Sequence, residues 1–178
     1  MKKVLVPLAD GFEEIEAVTV ADVLRRAGIE TVLAGLPSSI IEGSNGLKVI
    51  ADKKMDNVRL DDFAALVLPG GNRGCENLGN SKTVMQAIEH FEEKGKLVAA
   101  ICAAPSLLAK AGILKDRRAT IHPGREKEIP RPRDARVIED NNVITSMGPG
   151  TAIEFALKIV ENLEGKQRAE KIRRELCI

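Results

Sequence analysis

The chain has 178 residues, of which 44% are hydrophobic and 30% charged, and its formal net charge is +1. This length fits one domain with a full hydrophobic core, so we expect residues 1–178 to form a single domain. The small net charge and the absence of Trp and Tyr argue against a nucleic-acid-binding protein, and the apolar runs are too short to span a bilayer.

The first half of the chain alternates strand and helix patterns. Apolar runs bounded by turn residues predict three strands, at 3–8, 31–36 and 64–68. Helical periodicity predicts two helices, at 12–27 and 81–94. Residues 38–51 predict an antiparallel hairpin that turns at Asn45 and Gly46.

The second half continues the alternation. Strand patterns occur at 97–101, at 119–122 and, as a hairpin, at 137–146. Helix patterns run from Cys102 to Gly112, over 151–162 and over 165–176. Thr151 and Glu154 have the spacing of a capping box, and a loop rich in Arg and Pro spans 123–136.

This order of elements predicts an α/β fold with a mainly parallel sheet covered by helices on both faces. Ligands of such folds bind beyond the carboxyl ends of the strands. Three segments should meet there: 10–16, 69–74 and Cys102.

Cys102 directly follows a predicted strand and precedes a predicted helix. A cysteine at such a corner lies near unpaired backbone N–H groups, which favour the thiolate, so we expect a lowered pKa and a nucleophilic sulfur. The alternative is a small, inert core residue, which is a common role for cysteine.

The helix over 12–27 carries three acidic residues near its start. On a helical wheel Glu16 falls in the middle of the apolar stripe and Glu13 near its edge, whereas Glu14 points the other way with Ala21 and Arg25. A carboxyl group on a buried face must be paired or protonated, which favours a functional role for Glu16. The alternative is that all three only complement the helix dipole.

Two glycines follow the strand at 64–68. Gly70 and Gly71 let backbone N–H groups approach a ligand closely, and the N–H groups of Gly71 and Ala103 could form an oxyanion hole beside Cys102. Asn72, in the same turn, is expected to line the site together with Glu13. A plain tight turn is the alternative.

Other motifs are weaker. The stretch 74–81 resembles a phosphate-binding loop, but Asn80 stands where the lysine should be, and the sequence lacks a dinucleotide fingerprint, so we expect no cofactor. The two histidines lack metal-ligand spacing, so we expect no metal. Three widely spaced cysteines without a signal-peptide pattern indicate a cytoplasmic protein. Cys75 is expected to be a passive loop cysteine, with a second oxidisable thiol as the alternative, and Cys177 is expected to have no specific role.

Several segments taken together resemble the ThiJ/PfpI superfamily, specifically the branch that contains the parkinsonism-linked human protein and bacterial YajL. The segments are DGFEEIEAVTVADVLRRAG (10–28), ALVLPGGNRGCENL (65–78), AAICAAPSLLAKAGIL (99–114), TIHPG (120–124) and TSMGPGTAIEFALKIVENLEGK (145–166). The resemblance implies a flavodoxin-like three-layer α/β/α sandwich with a nucleophile elbow at Cys102, and a homodimer.

The resemblance also implies roles for individual residues. Cys102 corresponds to the nucleophile, Glu16 to its partner carboxyl group, and His122 to a histidine that lies nearby without completing a triad. The peptidase-like branch has His directly after the cysteine, where this chain has Ala103, so protease activity is not expected.

The function that the resemblance implies is a cofactor-independent enzyme of the glyoxalase III or deglycase type. Its substrates would be small 2-oxoaldehydes such as methylglyoxal and glyoxal, or their early adducts, and its products hydroxy acids. The alternative is an oxidative-stress protein or chaperone that senses peroxide when Cys102 is oxidised to a sulfinate.

Overall fold

The computed structural model describes residues 1–178, which form nine strands and six α-helices. The strands are β1 (Lys3–Ala9), β2 (Glu30–Leu36), β3 (Ile40–Glu42), β4 (Lys48–Ile50), β5 (Lys53–Lys54), β6 (Ala65–Leu68), β7 (Leu97–Ile101), β8 (Val137–Asp140) and β9 (Val143–Ser146). The helices are α1 (Glu14–Arg26), α2 (Asn72–Asn80), α3 (Lys82–Glu93), α4 (Pro105–Lys110), α5 (Ala152–Glu164) and α6 (Lys166–Glu175).

Seven strands form the main sheet in the order β5-β2-β1-β6-β7-β9-β8, and only β8 runs antiparallel to its neighbour. Strands β3 and β4 pair separately as the predicted hairpin. The strand order reverses between β1 and β6. The loops that follow these two strands therefore diverge and leave a crevice, which is where ligands bind in open α/β sheets.

Helices cover both faces of the sheet and create two hydrophobic cores. One core packs α1, α5 and α6 on one face, with Leu24 and Phe155 fully buried. The other packs α2, α3 and α4 on the opposite face, with Ile88 and Phe91 fully buried. The strands are apolar on both sides because both sides are covered. None of the helices is both long enough and apolar enough to cross a bilayer.

The predicted α/β class and the order of the longer strands and helices are confirmed. The two-residue strand β5 (Lys53–Lys54) was not predicted, and three further segments differ. Residues 72–80, which carry no predicted element, form α2. Residues 119–122 form only an isolated bridge between Ala119 and Pro132 rather than a strand. The predicted capping box is also wrong, since the Thr151 hydroxyl donates to the Gly148 carbonyl at 2.8 Å instead of capping α5.

Candidate active site

Cys102 lies in the sharp turn between β7 and α4, as the sequence predicted. Its φ of 62° is in the left-handed region, which residues with a side chain rarely occupy. Neighbouring elements hold this conformation: Cys102 N donates to Ser146 O at 2.9 Å, and Cys102 O accepts from His122 N at 2.9 Å. The residue is half-buried and lines the crevice at the carboxyl end of the sheet.

Glu16 approaches Cys102 from α1, on the helix face that packs against the sheet. The residue is completely buried, and its Oε2 accepts a hydrogen bond from Gly70 N at 2.6 Å. Oε1 makes no hydrogen bond of standard geometry. The Cys102 thiol is the polar side chain next to the carboxyl group, and each of the two groups shifts the pKa of the other. Glu16, the acidic residue within the apolar stripe of α1, therefore lies next to the Cys102 sulfur.

Gly70 makes this meeting sterically possible. A Cβ atom at position 70 would lie 2.5 Å from Glu16 Oε2 and 2.6 Å from Cys102 Cβ, closer than real contacts allow. The glycine thus serves as the contact point between the two reactive side chains, beyond its role in the turn.

The pKa values of the two groups reflect their mutual burial. Desolvation raises the pKa of Glu16 to about 7, although the Gly70 N–H and the Cys102 thiol oppose the rise. Burial, together with the charge of the Glu16 carboxylate, raises the pKa of the Cys102 thiol to about 12. This direction is opposite to the expectation from sequence, because the adjacent acid and the apolar surroundings outweigh the backbone N–H groups.

The two groups therefore titrate as a coupled pair. Ionised Glu16 repels a thiolate, whereas protonated Glu16 removes that repulsion and can donate its proton toward the sulfur. When Glu16 is instead ionised, its carboxylate is a nearby acceptor for the thiol proton, since a carboxylate with a pKa of about 7 takes up a proton readily at neutral pH. The arrangement suits a nucleophile that loses its proton to Glu16 as it attacks.

The structure places the two predicted oxyanion donors beside the sulfur. Backbone N–H groups of Gly71 and Ala103 point at Cys102, where they lower the pKa of its thiol against the larger effect of burial. Gly71 has a φ of 92°, and a Cβ there would lie 2.2 Å from Gly11 O. Only glycine allows this turn to bring its N–H group to the sulfur.

The crevice above Cys102 is an open cleft of about 1240 Å³ with a strongly polar lining. It contains the predicted residues Glu13, Gly71, Asn72 and His122 together with Cys102, whereas the predicted Glu16, Gly70 and Ala103 are buried and do not line it. It also contains Asp10 and Arg73, which belong to the segments 10–16 and 69–74 that were predicted to meet here. Sequence reasoning missed five further residues: Glu42, Ser44, Arg125, Glu128 and Pro149.

His122 stands at the rim of the cleft and is exposed. Its Nδ1 lies 2.9 Å from Pro123 O, so this nitrogen carries the hydrogen and Nε2 is left as an acceptor. No carboxylate orients the ring, and the ring makes no hydrogen bond with Cys102. The three groups therefore do not form a Cys-His-acid triad.

The loop over 123–136 forms one wall of the cleft. Arg125 Nη1 donates to Asn72 Oδ1 at 2.6 Å, and Arg125 Nη2 donates to Glu128 Oε2 at 2.8 Å. The sequence showed only alternating charges in this loop. It could not show that Arg125 contacts Asn72, because Asn72 lies some fifty residues away along the chain.

Two residues have surroundings that differ from the predictions. Glu14 is only 5% exposed, because the β3–β4 hairpin covers the side of α1 that the helical wheel placed in solvent. Cys75 lies on α2 rather than in a loop, is 3% exposed, and its burial raises the pKa of the thiol to about 12.

All three cysteines are free, and no group of three or more His, Cys, Asp or Glu side chains is arranged to hold a metal ion.

The sequence matches the DJ-1/PfpI family over residues 2–162. The chain belongs to this family. Protein dj-1beta of Drosophila melanogaster is 41% identical to it over 182 residues, which cover 99% of this chain and 97% of the fly protein. The glutathione-independent glyoxalase DJR-1.2 of Caenorhabditis elegans is 34% identical over 178 residues, or 98% of this chain and 95% of the nematode protein.

Among solved structures, oxidized Toxoplasma gondii DJ-1 superposes on this DJ-1/PfpI member with a TM-score of 0.97 at 39% identity. The match covers 99% of this chain and 98% of that one. The family resemblance and the flavodoxin-like three-layer fold that the sequence predicted are therefore confirmed.

Proposed function

We propose that the chain is a cofactor-independent glyoxalase of the DJ-1/PfpI family that converts 2-oxoaldehydes, or their early adducts, into 2-hydroxy acids. The observation that carries the proposal is that Cys102 lines an open polar cleft while the buried Glu16 carboxyl group lies against its sulfur. A relative that covers almost the whole chain is named as a glutathione-independent glyoxalase, which supports the same chemistry here.

The first step forms a hemithioacetal. The Cys102 sulfur adds to the aldehyde carbon C1 of methylglyoxal while its proton moves to Glu16, and the carbonyl electron pair moves to the aldehyde oxygen. The N–H groups of Gly71 and Ala103 stabilise the resulting oxyanion, as in other acyl-transfer sites. Glu16 then returns its proton to that oxygen.

The second step moves hydrogen between the two substrate carbons. Glu16, again a carboxylate, removes the hydrogen on C1, a C1–C2 double bond forms, and the ketone oxygen takes a proton from water. Glu16 delivers its proton to C2, and the C1 oxygen loses its own proton to the hydroxide that the water left, which gives a 2-hydroxy thioester and restores the water. C1 is oxidised as C2 is reduced, so no external redox cofactor is needed.

The last step is hydrolysis. Water attacks the thioester carbon, the C–S bond breaks, and the sulfur recovers a proton as lactate leaves. His122 Nε2, which has no hydrogen of its own, is the proposed acceptor for the proton of this water at the cleft rim.

The test is turnover of methylglyoxal without glutathione, with lactate measured as product. Cys102→Ser should abolish lactate formation, because the serine hydroxyl is a far weaker nucleophile than a thiolate. Cys177→Ser is the matched control, since this exposed thiol lies outside the cleft. Lactate formation that survives Cys102→Ser would rule out the proposed mechanism.

The redox-sensing alternative depends on the same sulfur and gives a different result in the same preparation. Peroxide treatment followed by mass spectrometry would then show two added oxygen atoms on Cys102, while aldehyde turnover would be absent from the untreated protein. Lactate formation by the untreated protein favours the enzyme.

We also propose that the chain acts as a cytoplasmic homodimer. Five large apolar side chains are at least half exposed on neighbouring elements: Ile15 and Val18 on α1, and Ile40, Leu47 and Ile50 on the β3–β4 hairpin. A second copy covering this face would remove it from water. Sedimentation velocity should show a dimer, and Ile50→Lys should shift the protein toward a monomer.

A further inference from the structure

Glu14 is a buried acid that the proposed reaction does not use. It lies two residues before Glu16 but on another side of α1, facing the turn of the β3–β4 hairpin. All of its hydrogen-bond partners are donors from that turn: Ser44 Oγ at 3.1 Å, Asn45 N at 2.6 Å, Asn45 Nδ2 at 2.9 Å and Leu47 N at 3.4 Å.

The backbone of the hairpin also packs closely against the Glu14 side chain. A Cβ atom at Gly43 would lie 2.3 Å from Glu14 Oε1, so the backbone of the hairpin sits directly on the carboxylate. These donors lower the pKa of Glu14 to about 2 against the raising effect of burial, so the group is a carboxylate at neutral pH.

The hairpin that Glu14 holds also forms a wall of the cleft. Glu42, Gly43, Ser44 and Gly46 all line the space above Cys102. Ser44 bridges Glu14 and the cleft-lining Glu13, because its hydroxyl lies within hydrogen-bond distance of both carboxylates.

Ile41 of β3 is completely buried in the core, and the remaining polar anchors of the hairpin are few. Gly11 N donates to Glu42 O at 2.8 Å, Ser44 N donates to Phe12 O at 2.8 Å, and Glu42 N donates to Asp10 Oδ1 at 2.9 Å. The two bonds of Glu42 attach strand β3 and the bond of Ser44 attaches the start of the turn, whereas Glu14 holds the rest of the turn through Asn45 and Leu47. The outer side of the hairpin carries exposed apolar residues and packs on nothing within the chain.

We infer that Glu14 is a positioning residue that holds the hairpin turn as a wall of the cleft and so limits the size of the molecules that reach Cys102. This inference deepens the proposed function, and the part of its test that measures KM and kcat rests on that function. It assigns small aldehydes, rather than aldehydes attached to large carriers, as the preferred substrate class of the intact cleft.

The decisive variant is Glu14→Gln, which keeps the shape of the side chain but replaces one acceptor oxygen with a donor. In a Cys177→Ser background, the rate of Cys102 alkylation is compared between iodoacetamide, which is small, and fluorescein maleimide, which is bulky. Glu14→Gln should raise the bulky-to-small rate ratio about fivefold, because the released turn opens locally. Glu30→Gln, which loses only a contact with Lys3 at the opposite end of the sheet, should leave the ratio unchanged.

Hydrogen exchange identifies the cause of any change. The amides of Asn45 and Leu47 should lose protection in Glu14→Gln, while those of β1 keep theirs. Asn45→Ala removes a single side-chain donor and should shift the ratio in the same direction by a smaller factor, which covers the case in which Glu14→Gln does not fold.

Two results would overturn the inference. Unchanged amide protection would show that Glu14 does not hold the turn, and lost protection with an unchanged alkylation ratio would show that the turn does not limit access. If the protein turns over aldehydes, Glu14→Gln should raise KM for methylglyoxal by a larger factor than it lowers kcat. If it does not, the alkylation ratio still decides the role of Glu14 separately from the proposed reaction.

Discussion

The first turn of α1 presents two buried carboxyl groups, two residues apart, to opposite environments. Glu14 faces the hairpin and meets four donors, which hold its pKa at about 2. Glu16 faces the sheet and the nucleophile elbow, where burial raises its pKa to about 7 and Gly70 N is the one backbone donor. Both side chains are at most 5% exposed.

The comparison shows that loss of exposure alone does not set the charge of these groups. The depth of the carboxyl group and the number of donors decide it together: the Glu16 carboxyl lies deeper and loses more hydration, and only one N–H and a thiol replace water around it, whereas several N–H and O–H groups do so around Glu14. The hairpin side of the helix thus keeps a fixed anion for structure. The elbow side keeps a titratable acid for proton transfer.

Replacing the titratable acid gives the largest expected effect. Glu16→Gln should lower kcat/KM for methylglyoxal by about 10²- to 10⁴-fold, because general acid–base catalysis by a placed side chain contributes that much. Initial rates of lactate formation across pH 6 to 8 would check this. Glu30→Gln is the matched control, and a Glu16→Gln enzyme with wild-type kcat/KM would show that the acid is a bystander.

The same contrast predicts opposite effects of pH on stability. The folded protein keeps the Glu16 proton up to a pH of about 7, whereas the unfolded chain releases it near 4.5. The free energy of unfolding should therefore fall as the pH rises from about 4.5 to 7, by up to about 3 kcal/mol from this group.

Urea denaturation of the wild type and Glu16→Gln at pH 5 and pH 8 isolates this contribution. The amide cannot ionise, so the variant should gain stability relative to the wild type as the pH rises. Equal pH dependence in the two proteins would mean that Glu16 is not buried as a titratable acid.

Sequence reasoning reached Glu16 but not Glu14 for a physical reason. Helical periodicity reports which residues face the core of the domain, and Glu16 interrupts an apolar stripe where a charge is costly. Glu14 is buried by the β3–β4 hairpin, whose position over α1 follows from tertiary packing and leaves no periodic signal in the helix.

The same distinction explains the rest of the cleft. The turn at Gly70 and Gly71 and the corner at Cys102 are local features, so sequence patterns located them. Arg125 reaches the site only because a long irregular loop folds back onto α2, and α2 itself was missed because Gly74 and Gly79 lower its helix propensity. Contacts between segments distant in sequence are the part that a single chain does not reveal.

Replacing Glu14, the fixed anion, should lower catalysis less than replacing Glu16. It should nevertheless lower the stability of the folded protein. Glu14→Gln weakens the charge-assisted hydrogen bonds between the exposed turn and a buried carboxylate, which should lower the free energy of unfolding at pH 7 by about 1–3 kcal/mol. Because the pKa of Glu14 is lowered on folding, its contribution is present above pH 4.5 and is lost as the pH falls toward 2.

Denaturation of Glu14→Gln and Glu30→Gln at pH 7 and pH 3 tests this prediction. The deficit of the first variant should shrink at the lower pH, and the second should differ little from the wild type at either. A constant deficit would point to altered packing rather than to the carboxylate charge.

An acidic residue at the start of another helix is expected to contribute least to stability in this comparison. Glu154, in the first turn of α5, does not take part in the expected capping box and instead accepts a hydrogen bond from Arg136 Nε at 2.7 Å. Its side chain is 44% exposed and that of Arg136 is 60% exposed, so water competes with the pair. Glu154→Gln should therefore lower the free energy of unfolding by less than about 1 kcal/mol, and added salt should reduce the difference further. A loss as large as that of Glu14→Gln would mean that the helix dipole, rather than burial and the number of hydrogen-bond donors, governs the contribution of an acid in a first turn. The contrast between Glu14 and Glu16 would then need the same explanation.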